Sequence, residues 1–225
     1  MPEQLLQFLV TGVTVGAVYA LVGLGFALIY NASDVVNFAQ GEFVMLGALL
    51  AIALLGTGLS LPLAALAAIL ITVLVGLLLE RVAIEPALGA PVVSTIIITI
   101  GAAMVLRGAA LLLWGKDFHT LPSFSGDAPL NLGGATLLPQ SLWVLGVTAL
   151  LVLLVRAFFN RTLLGKALLA CSCNRAAAQL VGINVRVMLR LAYGLSAGLG
   201  AVAGILIAPI TFSSYDAGVM LGLKG

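Results

Sequence analysis

The sequence predicts an all-α, polytopic transmembrane helical bundle of about six spans. Two observations support this most directly: composition and the spacing of apolar segments. Of the 225 residues, 62% are hydrophobic and only 8% are charged, and the mean hydropathy is +1.24. Soluble domains carry roughly 25% charged residues because their surfaces face water. A chain this apolar must expose much of its surface to lipid, and we expect residues 1–225 to form a single transmembrane domain.

Six apolar segments approach the length of about 20 residues that a helix needs to cross the hydrocarbon core. In chain order they are Val10–Tyr30, Phe43–Leu55, Leu61–Leu79, Val92–Trp114, Leu142–Phe159 and Leu191–Ile210. The polar stretch Lys116–Gln140, which contains proline and glycine, predicts an exposed loop between the fourth and fifth segments.

Basic residues predict the orientation. Six of the ten Lys and Arg residues lie between Arg156 and Arg190. Because cytoplasmic loops carry an excess of Lys and Arg, we expect a cytoplasmic segment at about residues 160–190. Counting back through six spans places the Lys116–Gln140 loop and the N-terminus outside.

Motifs for covalent chemistry are weak. Gly194–Gly198 matches G-x-S-x-G, which in a hydrolase sets a serine beside a histidine on a strand-to-helix turn. Here the motif lies in an apolar helix, and the single histidine, His119, falls in the predicted outer loop. Close helix packing through Gly194/Gly198 and Gly200/Gly204 is therefore favoured over an intramembrane serine protease acting through Ser196.

The sequence also argues against several other functions for this chain. No P-loop motif occurs, so ATP-driven transport would need an ATPase on another polypeptide. The net charge of +2 does not suggest a nucleic-acid partner. Cys171 and Cys173 lie one residue apart, a spacing that indicates neither a metal site nor a disulfide framework.

Polar groups between the first two apolar segments are the candidates for a substrate pathway. We expect Gly41 to break a helix there and to expose polar backbone to a water-filled path. The alternative is an ordinary helix start, in which the helix dipole stabilises the carboxylate of Glu42. Arg107 interrupts the fourth segment about 10 Å from its outer end. We expect its side chain to snorkel to the outer interface, because a charge at the bilayer centre is costly. The alternative is that a partner or a water-filled cavity compensates the charge within the span.

A basic, alanine-rich helix is predicted over Thr162–Ile183. Ala177 and Ala178 would give it a smooth face, and Gly165 and Gly182 would mark its ends. Two placements remain open: this helix lies on anionic lipid, or it docks in a groove of a cytosolic partner.

Four stretches resemble the Liv-type permease subunits of bacterial ABC importers for branched-chain amino acids. Val35–Ala48 (VVNFAQGEFVMLGA) is similar to the family signature, with Gln40 where a histidine is usual. Leu163–Val185 resembles the cytoplasmic loop of the family, and Gly194–Leu206 resembles the glycine-rich span that follows it. The opening Gly12–Tyr30 is similar as well.

This resemblance implies a permease of the bacterial inner membrane that moves branched-chain amino acids by alternating access, without covalent chemistry or a cofactor of its own. It implies a second permease subunit, two ATP-binding subunits and a periplasmic substrate-binding protein as partners. The implied substrate-pathway residues are Asn37, Gln40, Gly41 and Glu42. The implied ATPase-coupling residues are Gly165, Lys166, Arg175, Ala177, Ala178 and Gly182.

Two further expectations follow from the resemblance. Related permeases carry urea or short amides, so the same machine with that cargo is an alternative. The family normally continues for two more spans, so we expect the chain to be truncated after Gly225.

Overall fold

A computed structural model of the chain describes residues 2–126, 128, 130–132 and 135–224. These residues form nine α-helices and one short β-hairpin. In chain order they are α1 (Pro2–Ser33), α2 (Gln40–Gly56), α3 (Leu61–Leu79), α4 (Val92–Trp114), β1 (Leu130–Leu132), β2 (Ala135–Leu137), α5 (Pro139–Arg161), α6 (Leu163–Cys173), α7 (Arg175–Leu180), α8 (Val185–Ile207) and α9 (Ala217–Lys224).

Among the described residues, five helical stretches are long and apolar enough to cross a membrane. They are Gln7–Ser33, Leu61–Ala87, Val92–Trp114, Pro139–Arg161 and Val185–Ile207. Helix α2 has 17 residues and most of its side chains are buried inside the bundle. Each predicted apolar segment overlaps one of these six helices. The prediction of an all-α polytopic bundle of about six spans is therefore confirmed.

Helix α8 is the centre of the bundle. Two thirds of its most apolar stretch is buried, whereas α4 and α5 leave most of their surface exposed. Its glycines make this position possible, because a Cβ at Gly204 would overlap the backbone of α2. In return, a Cβ at Gly47 of α2 would overlap the backbone of Ala201. Gly194 and Gly198 face side chains of α3. The predicted small-residue packing is confirmed.

The end of α3 is fastened to the beginning of α8 by charged side chains. Beyond Leu79 the chain continues as a π-helical turn, Glu80–Ile84, and a 3₁₀ turn, Glu85–Ala87. Arg190 Nη2 donates to Glu85 Oε2 at 2.6 Å, and Arg190 Nε lies 3.4 Å from Glu80 Oε2. Arg186 Nη1 lies 3.9 Å from Glu85 Oε1. We call these four side chains the α3–α8 cluster.

The prediction of one continuous helix over Thr162–Ile183 is wrong. The segment divides at Asn174 into α6 and α7, because the Asn174 side chain accepts a hydrogen bond from the Ala177 backbone N–H at 3.0 Å and so caps a new helix. Gly182 has a φ of +87° and follows the end of α7, as expected of a helix-terminating glycine.

Gly165 has a different role from the one predicted. It lies in the first turn of α6, which is capped by Thr162, whose hydroxyl accepts from the Gly165 N–H at 3.0 Å. A Cβ at Gly165 would overlap the carbonyl oxygen of Phe158. Glycine at this position therefore lets α6 fold back tightly against the end of α5.

The loop predicted at Lys116–Gln140 contains the antiparallel hairpin, in which Leu130 is opposite Leu137. The backbone of His119 exchanges hydrogen bonds with that of Ser213, at 2.8 and 2.9 Å. This bridge ties the loop to the segment that follows α8.

Candidate functional site

The connection between α1 and α2 re-enters the bundle without helical structure. Residues 34–39 lie between the two helices, and Asp34 has a φ of +54°. The Phe38 N–H donates to Thr99 Oγ1 at 3.3 Å. Thr99 is seven residues, or about 10 Å, into α4 from its start at Val92. Non-helical backbone is tolerated at this depth where it is buried in protein or lines a cavity. Asn37 and Ala39 are buried, whereas Val36 and Phe38 are exposed.

The expectation that Gly41 breaks a helix is wrong. Gly41 is helical and lies in the first turn of α2, so the break is at residues 34–39 before it. A Cβ at Gly41 would overlap the carbonyl oxygen of Gly218, and Gly222 lies just beyond. Gly41 thus permits the close contact between α2 and α9.

Asn37 turns the chain into α2. Its Oδ1 accepts from the Ala39 N–H at 3.1 Å, and its backbone carbonyl accepts from the Gln40 N–H at 3.2 Å. Asn37 is 1% exposed, and its Nδ2 has no hydrogen-bond partner among the described residues. The side chain therefore organises the start of α2 and keeps one donor unused.

Gln40 and Ser196 join three helices in the core. Ser196 Oγ lies 2.8 Å from the carbonyl oxygen of Gly25 and 2.5 Å from Gln40 Oε1, and Gln40 Nε2 donates to the Ser196 carbonyl at 3.3 Å. Both side chains are fully buried. The G-x-S-x-G serine is thus part of a packing contact between α1, α2 and α8, while His119 Nε2 lies 3.3 Å from the Trp114 carbonyl.

Glu42 and Arg107 form an ion pair between α2 and α4. Arg107 Nη2 donates to Glu42 Oε1 at 2.6 Å. The Glu42 side chain is 1% exposed and that of Arg107 is 32% exposed. The expectation that Arg107 snorkels to the outer interface is wrong, because the buried carboxylate turns the guanidinium inward. Glu42 does lie in the first turn of α2, as expected.

A cavity of about 610 Å³ opens beside this ion pair. Glu42 and Arg107 supply its charged wall, and the re-entrant connection contributes Val36 and Phe38. The rest of the lining is mostly apolar. Of the four predicted pathway residues, Glu42 faces this cavity, whereas Gln40 and Gly41 serve helix contacts.

The predicted coupling residues lie at one end of the bundle but differ in exposure. Lys166, Ala177 and Gly182 are exposed, and Ala178 is buried. Arg175 is tied to the end of α1: its Nη2 donates to the Ala32 carbonyl at 2.7 Å and lies 3.2 Å from Asp34 Oδ2. The sequence analysis predicts the same role for Ala177 and Ala178, but in the structure the first is exposed and the second is buried.

Sequence reasoning missed the partner of Glu42. Glu42 and Arg107 are 65 positions apart, and each was interpreted alone. Their opposite charge inside apolar segments was the available signal, because intramembrane charges usually pair. The α3–α8 cluster was missed for the same reason.

Comparisons with known proteins agree on one family. Residues 8–225 match the family model described as branched-chain amino acid transport system / permease component. The chain is 34% identical to the high-affinity branched-chain amino acid transport system permease protein BraD of Pseudomonas aeruginosa, over 92% of this chain and 72% of that protein. It is 31% identical to the permease protein LivH of Salmonella typhimurium, over 100% of this chain and 78% of that protein.

One more distant relative is named for a different cargo. The autoinducer 2 import system permease protein LsrC of Enterobacter sp. (strain 638) is 31% identical, over 94% of this chain and 61% of that protein. These relatives are transport permeases rather than enzymes. No solved structure matches the chain.

Proposed function

Because this chain belongs to the family of permease components of branched-chain amino acid transport systems, we infer that it is the membrane-spanning subunit of a bacterial importer that carries branched-chain amino acids across the inner membrane. The observation that carries this function is the match to the family model over residues 8–225. The cavity beside Glu42 and Arg107 supports it, since transporters bind substrate where irregular backbone and half-helix ends meet near the midplane.

Glu42 is the pathway residue for which the geometry offers most support, because its carboxylate faces the cavity. Asn37 supports the pathway by positioning the start of α2 and by its unused donor. Gln40 and Gly41 act through the contacts of α2 with α8 and α9. The chain performs no covalent chemistry and needs no cofactor; its role is to alternate access between the two sides.

The partners follow the plan of an ABC importer. A second permease subunit completes the pathway, a periplasmic binding protein delivers substrate, and two ATP-binding subunits supply the energy.

The segment α6–α7 is the ATPase contact: Leu180 and Val181 are 89% and 75% exposed at the end of α7. Gly165 and Arg175 fasten this segment to α5 and α1, so a pull on it reaches the spans. Lipid surrounds the remaining apolar surface, and nucleic acid is not a partner.

In the proposed orientation, α6–α7 lies in the cytoplasm and the loop that contains His119 lies outside. The basic residues from Arg156 to Arg190 support this arrangement. A cysteine introduced at the exposed Lys116 should react with a membrane-impermeant reagent in intact cells, and the exposed Cys173 should not. The reverse pattern would invert the topology.

Neither alternative gains support. The relatives reported above are named for branched-chain amino acids and autoinducer 2, not for urea or amides. Ser196, the candidate protease nucleophile, has Gln40 and Gly25 as its partners.

Uptake into proteoliposomes tests the function directly. The permease is reconstituted with the partner subunits of its own transport system, and ATP-dependent uptake of radiolabelled leucine, isoleucine and valine is measured. We expect uptake of all three, with competition among them and none from excess urea. Uptake of urea or autoinducer 2 in preference to leucine would assign a different cargo.

A further inference from the structure

We propose that Glu42 and Arg107 together form a binding site for the charged head group of a zwitterionic amino acid during its passage through the membrane. In this site the Arg107 guanidinium binds the α-carboxylate and the Glu42 carboxylate binds the α-ammonium. The inference rests on the proposed function and adds the site at which the permease itself recognises substrate.

The ion pair has unused bonding capacity. Glu42 Oε2 and Arg107 Nε are buried and have no hydrogen-bond partner among the described residues. Buried polar atoms are nearly always paired in folded proteins. The α3–α8 cluster also contains buried atoms without a partner, on Glu80 and Arg190. What distinguishes Glu42 and Arg107 is that both residues line one cavity, so a ligand there could reach both atoms. An arriving zwitterion offers both complements at once, three ammonium donors and two carboxylate acceptors.

The charges balance before and after binding. Glu42 and Arg107 are together neutral, and so is a zwitterion. When the substrate binds, Glu42 pairs with its ammonium and Arg107 with its carboxylate instead of with each other. Every charge therefore keeps an opposite partner. No unpaired charge is therefore created in a region of low dielectric, where one is costly. A substrate with a single charge leaves either Glu42 or Arg107 without a partner.

The remainder of the cavity suits an aliphatic side chain. Phe26, Ile100 and Met104 line it together with Phe38 from the re-entrant connection. Its volume of about 610 Å³ lies within the range of roughly 300–1,000 Å³ usual for small-molecule sites. A charged wall that faces an apolar wall matches the two ends of a branched-chain amino acid.

The ion pair could instead serve only to hold α2 against α4. A variant that removes both charges distinguishes this structural role from substrate binding. Glu42→Gln or Arg107→Gln alone leaves one charge of the pair without its partner, so each single variant is expected to be less stable on either account. The double variant Glu42→Gln/Arg107→Gln removes both charges and leaves a polar amide at each position. If the pair only holds α2 to α4, this variant regains both stability and transport.

The double variant should assemble with its partner subunits as the wild type does, yet leucine uptake should fall by about 100-fold. The reason is that the substrate would lose a charged partner at each end, and each is worth on the order of tenfold in affinity. Uptake by the double variant equal to that of the wild type would overturn the inference alone. Failure of the wild type to take up leucine in the same liposomes would instead overturn the proposed function.

A second measurement keeps the inference testable if the double variant does not fold. Binding of radiolabelled leucine to the purified wild-type permease complex, without the binding protein, is challenged with two analogues. One is 4-methylpentanoate, which lacks the ammonium, and the other is 3-methylbutan-1-amine, which lacks the carboxylate. We expect neither to displace leucine at about 100-fold excess, whereas isoleucine does so at equal concentration. Displacement by either analogue as effectively as by isoleucine would contradict the site.

Discussion

Two sites in this molecule join glutamate to arginine, and they differ in what surrounds the charges. Both partners of the Glu42–Arg107 pair line one cavity of about 610 Å³. Of the α3–α8 cluster, Arg190 alone is among the residues that line a second cavity, of about 540 Å³, whose other lining residues are apolar. In the α3–α8 cluster, Arg190 contacts both Glu80 and Glu85 and thereby fastens the end of one span to the start of another. On the proposal above, an ion pair whose two partners share one cavity binds the substrate, whereas an ion pair with only its cation at a cavity connects two helices.

This comparison predicts different outcomes for neutralised pairs. A connecting pair is replaceable, because removing both partners of a buried ion pair is often nearly neutral for stability. A binding pair is not replaceable, because the substrate needs the charges themselves.

Breaking the cluster should give the largest effect. Arg190→Gln leaves the carboxylate of Glu80, which is 0% exposed, without its cation. We expect the apparent melting temperature of the purified permease to fall by on the order of 10 °C. The matched control is Arg156→Gln, since Arg156 is exposed and forms no ion pair with the described residues; it should leave the melting temperature unchanged.

The double variant Glu80→Gln/Arg190→Gln completes this test. It should recover most of the lost stability and also retain leucine uptake, unlike Glu42→Gln/Arg107→Gln. If Glu80→Gln/Arg190→Gln also folds normally but transports nothing, the two sites do not differ in the way described.

A smaller effect is expected from added bulk on α7. Ala177 is exposed on this helix, and a segment seated in an ATPase groove has no room for a large side chain there. Ala177→Trp should weaken association or coupling by about tenfold, because overpacking costs about 1–3 kcal/mol. ATPase activity of the complex and leucine uptake are measured together, and ATP hydrolysis should continue while uptake falls.

Ala90→Trp is the control for this substitution, since Ala90 is exposed in the loop between α3 and α4. Normal uptake by Ala177→Trp would favour the alternative in which α6–α7 rests on lipid, where tryptophan is neutral or stabilising. Ala178→Trp is uninformative for coupling, because Ala178 is buried within this chain and the variant would disturb the fold itself.

The smallest effect is expected at Ser196. Ser196→Ala leaves buried Gln40 without its hydroxyl partner, at a cost of about 1–3 kcal/mol in the free energy of unfolding. Leucine uptake should persist in this variant at a temperature where it remains folded. Thr148→Val is the control, because the buried Thr148 hydroxyl has no hydrogen-bond partner among the described residues. Complete loss of function in a well-folded Ser196→Ala protein would indicate a chemical role for the serine.

Much of the fold follows from the sequence because hydropathy is a local property. The segment Val92–Trp114 was predicted with the ends that the structure shows. Helix α8 was predicted to start at Leu191 but begins at Val185, because Asn184 caps it with its side chain. The division at Asn174 has the same cause, so both errors arise from capping residues that the sequence does contain.

The candidate site was less predictable because it depends on which helices meet. Glu42 was identified from its own environment, but its partner on α4 is set by packing. The sequence analysis predicts a helix break at Gly41, whereas in the structure its missing side chain permits the close approach of α9. A single sequence does not distinguish a glycine that bends the chain from one that admits a neighbour.

Water access to the cavity tests the central claim most directly. Met104 and Leu153 are 65% and 60% exposed and both lie deep within their spans, but Met104 lines the cavity and Leu153 lies on the outer face of α5. Each is replaced by cysteine in a variant that lacks Cys171 and Cys173, and the assembled transporter is treated with a water-soluble, thiolate-specific reagent. We predict that Met104→Cys reacts at least about tenfold faster than Leu153→Cys and that leucine slows it, because thiolates form only where water reaches. Equally slow reaction of both cysteines, unaffected by leucine, would mean that the face beside Glu42 and Arg107 contacts lipid and is not a substrate pathway.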